Sequence, residues 1–265
     1  MTTEIRSTGE PVSLNPTQRF SSRVDTYVRF RPSYPREIVE ILERECGLTR
    51  DSVIADIASG TGIFTRLLLE HGSRVFGVEP NAEMRRAGEE FLAKYPKFTS
   101  VNGTAEGTTL PDKSMDLITC AQAAHWFVRE QAMPEFQRIL TPGGYLVLIW
   151  NDRKMAGSRF SEEYERLAET YGTDYSEVQR LGRVIDGNEF FREFKCQKRT
   201  LANYQDLNYT ALEGRLLSSS YAPERGESSC ARMLDELRRI FDECQEKGLV
   251  RMEYDTNIYF GKLSN

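Results

Sequence analysis

Two acidic residues, a glycine-rich turn and a histidine set the chemistry within reach of this sequence. Asp56 sits in a short β-branched run, Val53-Ile54-Ala55-Asp56-Ile57, and Gly60-Thr61-Gly62 follows it. A turn of that kind lets backbone approach a ligand closely. Glu79 lies 17 residues past Gly62, in Val78-Glu79-Pro80 at the end of a second strand-like run. A carboxylate there can accept from both hydroxyls of a ribose and would repel a 2′-phosphate. The dinucleotide pattern G-x-G-x-x-G needs a third glycine where Thr65 stands, and no G-x-x-x-x-G-K-[ST] occurs. The turn therefore suits a nucleoside without specifying a pyrophosphate. His125 is the candidate general base, because an ordinary imidazole pKa of about 6.5 suits proton transfer at neutral pH.

These residues need elements to hold them, and the 265-residue chain, 39% hydrophobic, can bury a sizeable core. Ile38, Val39, Ile41, Leu42 and Cys46 recur at helical spacing up to Gly47, and Ile63, Phe64, Leu67, Leu68 and Leu69 do so up to Gly72. Strands are expected at 53–57, 74–79, 98–102, 115–120 and 145–150, with Asn81 as the N-cap of a helix to about Tyr95. Strands alternating with helices argue for βαβ units and a parallel sheet covered on both faces. Beyond 151 the pattern is mainly helical, interrupted by a strand near 195–201. An amphipathic helix is expected at 232–244, and Val250, Met252, Tyr254, Ile258 and Phe260 mark a late strand.

Composition removes several function classes. Lys and Arg total 35 against 40 Asp and Glu, a net charge of −5, so the surplus of basic groups that a nucleic-acid reader carries is missing. No apolar run approaches the roughly 20 residues of a membrane span, and residues 1–15 lack the apolar core of a secretory signal. The five cysteines form no CxxC pair and read as reduced thiols, so a cytoplasmic protein with no metal site is expected.

Residues 53–62 resemble the first motif of the class I S-adenosylmethionine (SAM) methyltransferases, an acidic residue at strand one followed by a G-x-G-x-G turn. Ala58 replaces the family's usual first glycine and Ser59 its frequent cysteine. Glu79 matches the family's ribose acid. Gly103-Thr104-Ala105-Glu106, with the segment 110–116 after it, is similar to the part that holds adenine, and Leu140-Thr141-Pro142-Gly143-Gly144 is similar to the turn before strand five. Residues 27–35 resemble a Y-x-x-x-R-P-x-Y-P segment, and Gln122-Ala123-Ala124-His125-Trp126-Phe127 resembles Q-A-x-H-W-F, both of a small-molecule branch. Relatives in that branch include fungal enzymes similar to trans-aconitate methyltransferase. The likeness is strong over 20–150 and looser elsewhere.

The resemblance implies an α/β fold: a doubly wound, mostly parallel seven-stranded Rossmann-like sheet with a helical insertion after strand five. It implies SAM as cofactor, with S-adenosylhomocysteine (SAH) as product. Asp56 would anchor the methionine ammonium, beside Ala58, Ser59, Gly60 and Gly62 of the turn. Glu79 and Pro80 would hold the ribose. Met84, Ala105, Glu106, Ala121 and Gln122 would complete the nucleoside site, and Tyr27, Arg31 and Tyr34 would fold over it. Trp126, Trp150, Arg153 and Tyr221 are the candidates for acceptor contact. A flexible leader is expected at 1–17 and a single domain at 18–265. That domain divides into a cofactor core at 18–152, a largely helical acceptor-side insertion with the sixth strand at 153–248, and the last strand at 249–265.

The function expected is in-line methyl transfer to a small-molecule acceptor, at a carboxylate or hydroxyl oxygen. The expected protein is a monomer or homodimer without nucleic-acid or membrane partners. A non-catalytic SAM-binding protein and a nicotinamide-dependent oxidoreductase remain as alternatives, the missing third glycine counting against the latter.

Overall fold

The computed structural model describes residues 29–173, 175 and 187–263; the expected leader at 1–17 and Tyr27 lie outside the described residues. Seven strands form one sheet: β1 (Val53–Ile57), β2 (Arg74–Val78), β3 (Phe98–Val101), β4 (Met115–Ala121), β5 (Leu140–Arg153), β6 (Gln197–Leu207) and β7 (Val250–Lys262). Their order is β3-β2-β1-β4-β5-β7-β6. β1 to β5 run parallel, while β7 runs antiparallel between β5 and β6. The chain thus winds outward from β1 in two directions. A cleft opens at that switch point, beyond the carboxyl ends of β1 and β4.

Eight α-helices and a 3-10 turn (Ala124–Trp126) accompany the strands among the described residues, the α-helices being α1 (Glu37–Cys46), α2 (Ile63–His71), α3 (Ala82–Leu92), α4 (Arg129–Ile139), α5 (Arg159–Tyr171), α6 (Gly187–Phe191), α7 (Tyr209–Leu217) and α8 (Ser228–Cys244). Local chemistry sets the boundaries of the early ones. α2 begins and ends on glycines in the left-handed region, Gly62 at φ 83° and Gly72 at φ 108°. The Asn81 side chain accepts from the backbone N–H of Glu83 and Met84, both at 3.0 Å, which fixes the start of α3 at the mouth of the cleft.

The β-branched run of β1 is buried because it lies mid-sheet with helices on both faces. Ile54 and Ile57 are wholly enclosed, and they pack into two different apolar clusters, one on each side of the sheet. A third cluster lies under the insertion, where Tyr164 and Leu167 of α5, Leu212 and Leu216 of α7 and Leu237 and Ile240 of α8 cover Met252 and Tyr254 of β7.

Two strands exceed their expected bounds. β5 starts at Leu140, and its register with β4 jumps from Met115↔Leu140 to Leu117↔Tyr145, so Pro142-Gly143-Gly144 forms a bulge inside the strand instead of a turn before it. β6 runs to Leu207 as an edge strand. Its alternate residues are exposed or half-buried, so its sequence carries little apolar signal.

Candidate active site

The turn after β1 is built from unusual backbone. Ala58, Gly60 and Gly62 have φ of 53°, 56° and 83°, all in the left-handed region. A larger residue at Gly62 would be strained by the left-handed backbone, and its Cβ would lie 2.6 Å from the Leu92 side chain, which would have to move. Ala58, in the usual position of a glycine, adopts the glycine conformation and bears its strain. Ala58→Gly is therefore expected to stabilise the protein by about 1 kcal/mol in denaturant unfolding. A loss of stability would show that the Ala58 methyl contributes more by packing than its backbone costs.

Glu79 ties the turn to the end of β2. Its Oε2 accepts from Gly60 N–H at 2.9 Å and its Oε1 from Asn81 N–H at 2.8 Å. Each carboxylate oxygen has further lone-pair capacity, so a vicinal diol can still be accepted. Burial pushes the Glu79 carboxyl above the usual range, against the pull of those two backbone N–H groups and the Arg85 guanidinium. Arg85 itself donates to the Glu79 carbonyl at 2.8 Å.

Asp56 is almost wholly buried. Its Oδ2 accepts from Thr65 Oγ1 at 2.5 Å and its Oδ1 from Thr119 Oγ1 at 2.8 Å. Thr65 stands where a dinucleotide turn has its third glycine, and here its hydroxyl fixes the carboxylate instead. Burial raises the Asp56 pKa to about 6, against those two hydroxyls, and the Glu79 charge adds to the rise. Two buried carboxylates, with no lysine or arginine among the described residues in an ion pair with them, make this end of the sheet receptive to a cation.

Two cavities open over these carboxylates, and Ala58, Gly60, Ala121 and Gln122 form the wall they share. The first, of about 100 Å³, takes in Asp56, Ser59, Arg31, Tyr34, Asn151 and Arg215. The second, of about 220 Å³, takes in Glu79, Pro80, Met84, Ala105, Glu106 and Trp126. Polar groups at one end and an apolar slot at the other match an amino-acid moiety joined to a nucleoside. Gln122 stands between the two at φ 62°, its N–H on the Ile149 carbonyl and its Nε2 on the Asn151 carbonyl at 3.2 Å. Strained backbone of this kind persists where its surroundings over-determine it.

Residues 30–34 cover the first cavity. Arg31 Nη2 donates to the Ser218 carbonyl at 2.7 Å, and Asn203 Nδ2 to the Ser33 carbonyl at 2.8 Å. Tyr34 meets Phe64 edge to face at 5.1 Å. Of the expected acceptor contacts, Trp126 lies on the second cavity, the nucleoside-shaped one. Trp150, Arg153, Tyr221 and His125 line neither cavity. Trp150 packs edge to face on Tyr259 in the core, and Arg153 pairs with Glu165. Tyr221 meets Tyr175 at 4.7 Å. His125 is half-buried beside Trp126, its Nδ1 without a partner, and burial lowers its pKa to about 4. An imidazole with that pKa is neutral at pH 7 and a weak base.

Sequence reasoning missed Thr119, Asn151 and Arg215. None belongs to a local pattern, and only the fold brings them to the cleft.

A methyltransferase domain family matches residues 55–148. A methyltransferase of a Geobacillus species, itself uncharacterised, is 31% identical over 150 residues, which span 52% of this chain and 70% of the relative. The chain belongs to the class I SAM-dependent methyltransferases. The matched region holds Asp56, the glycine turn, Glu79 and Gln122, so both cavities lie largely within the methyltransferase core. An uncharacterised methyltransferase of Mycobacterium tuberculosis is 40% identical over 134 residues, 51% of this chain. The chain spans about half the length of the curated relatives it matches, 52% in that case. A provisionally assigned type II methyltransferase from Anaeromyxobacter dehalogenans shares the fold, with a TM-score of 0.65 at 21% identity, covering 88% of this chain and 98% of that one.

Proposed function

We propose that this chain transfers a methyl group from SAM to an oxygen of a small-molecule acceptor in the cytoplasm. The observation that carries the reading is the pair of buried carboxylates, Asp56 and Glu79, at the two ends of one divided cleft with the glycine turn between them. Glu79 would hold the ribose diol and Asp56 the methionine ammonium, while Pro80, Met84 and Ala105 enclose the base and Glu106 stands beside it. When bound, SAM supplies an electrophilic methyl carbon on a neutral leaving group. The protein's work is then alignment and exclusion of water, which in well-oriented systems reaches effective molarities of about 10⁵–10⁸ M. Tyr34, Phe64 and the strap at 30–34 support that exclusion. The acidic net charge of −5 favours a small acceptor over a nucleic acid.

Calorimetry with SAM, SAH and NAD tests the reading. One site for SAM and SAH and no heat from NAD are expected; tight NAD binding without SAM binding would overturn it. Turnover of labelled SAM then separates an enzyme from a SAM-binding regulator.

We infer that His125 supports the loop after β4 and is not the base. Its folded pKa of about 4 lies below the ordinary 6.5. Its contribution to stability is therefore whole above pH 6.5 and is lost as the pH falls toward 4. His125→Ala is expected to change turnover by no more than about threefold and to soften the acid limb of the stability curve. A fall of 10²-fold or more in kcat, with folding intact, would restore the base.

A further inference from the structure

The charged residues that line the first cavity are Asp56 from the core, Arg31 from the strap and Arg215 from α7 of the insertion. Arg215 is a buried cation, only 8% exposed. Its Nη1 donates to Ser219 Oγ at 3.0 Å and its Nε to the Tyr254 hydroxyl at 3.3 Å. The groups whose charge bears on it are the hydroxyls of Tyr254, Tyr164 and Tyr221, and among the described residues no Asp or Glu forms an ion pair with it. A guanidinium cannot shed its proton, and burying one without a counter-ion is costly. Arg153 shows the usual remedy, an ion pair with Glu165.

Arg31 is placed differently. It is half-buried, and its Nη2 donates to the Ser218 carbonyl at 2.7 Å, which fastens the strap to the loop after α7. Arg215 is therefore the cation of this cavity whose fixed partners are hydroxyls and whose charge faces the ligand space. A methionine moiety with its ammonium at Asp56 carries a carboxylate on the same carbon. In a space of about 100 Å³ both charges of that carbon have to be met at once. The core supplies the negative group for one of them, and the insertion supplies the positive group for the other.

We propose that Arg215 selects the methyl donor: it receives the α-carboxylate of the methionine moiety, so the insertion completes the donor site and sulfonium nucleosides lacking that carboxylate are rejected. This rests on the methyl-transfer reading. Ser219 and Tyr254 fix the plane of the guanidinium, and its remaining N–H groups offer the fork that matches a planar carboxylate. A donor without the carboxylate leaves Arg215 buried and unmatched, which is how a site built around a polar group rejects an analogue lacking it.

The test is calorimetric titration of the full chain with SAH, with decarboxylated SAH, in which hydrogen replaces the carboxylate, and with the α-carboxamide of SAH. Wild type is expected to prefer SAH to either analogue by about 30-fold or more. In Arg215→Gln the preference should shrink to about threefold or less, because SAH affinity falls while affinity for decarboxylated SAH holds. A merely structural role would weaken both ligands alike. Arg215→Lys keeps the charge without the fork and should lie between. Should Arg215→Gln fail to fold, the same comparison is made in Arg215→Lys, where an undiminished preference overturns the proposal. Equal binding of SAH and decarboxylated SAH by wild type overturns it without any variant. So does a parallel loss for both ligands in Arg215→Gln, or a preference that survives there and disappears in Arg31→Gln. Absence of SAH binding to the wild type would instead sink the methyl-transfer reading.

Discussion

Asp56→Asn is expected to make the ligand-free protein more stable at pH 7–8 while weakening SAM binding by about 10²-fold. The stability gain follows from the sign of the Asp56 shift. Its folded pKa of about 6 exceeds the ordinary 3.8. Between those values the folded state holds more protons than the unfolded one, so stability falls as the pH rises through this range and stays low above it. A neutral amide removes that penalty, on the order of 2 kcal/mol, or about 5 °C in melting temperature. The amide also fits: its oxygen accepts from one threonine hydroxyl, and its NH₂ donates to the other, which rotates to receive it. Binding is expected to suffer because, with Asp56 as the proposed anchor, the methionine ammonium would lose that negative charge.

The measurement is a pair of melting curves from pH 4 to 8, with SAH titrations at pH 7.5. His125 titrates with the opposite sign over part of that range, so the Asp56 contribution is read from the difference between variant and wild type. A variant less stable than wild type at pH 8, with SAH affinity unchanged, would contradict both assignments.

Glu79→Ala is expected to weaken SAH binding by about 10²-fold, the order of magnitude for removing hydrogen bonds to a charged group. Two losses combine. The ribose hydroxyls lose their acceptor, and the N–H groups of Gly60 and Asn81 lose theirs, which loosens both the turn and the start of α3. Comparing adenosine with 2′-deoxyadenosine separates them. Wild type should prefer adenosine by about tenfold, and the variant should bind both alike. A retained preference in a folded variant would move the diol contact elsewhere.

Much of the donor side of this cleft was legible because its determinants are local. Asp56, the glycine turn, Glu79 and Asn81 lie within 26 consecutive positions, 56–81, of one βαβ unit, and each acts through its own backbone neighbourhood. Even the departure at Ala58 is visible in sequence, although the cost, a left-handed alanine, needs the backbone to be seen. The insertion's helices and its strand were legible too, but its cavity-lining residue was missed for the opposite reason. Arg215 is one arginine on a short helix, Tyr254 one tyrosine on a late strand, and nothing in their spacing couples them. Trp150 and Asn151 show how narrow the margin is. They are neighbours on β5, yet strand alternation sends the tryptophan into the core against Tyr259 and leaves the asparagine on the cavity.

The place of β7 has a consequence for biosynthesis. It is made after β6, its antiparallel partner, yet it lies inside the sheet, and β6 joins the remaining strands only through it. On the ribosome, where domains assemble as their residues emerge, the nucleoside half has all its strands once residue 153 is free. Tyr254, which steadies Arg215, arrives a hundred residues later, and until then α7 has no floor. The second cavity, lined only by residues between 58 and 127, would thus be complete long before Arg215 closes the first.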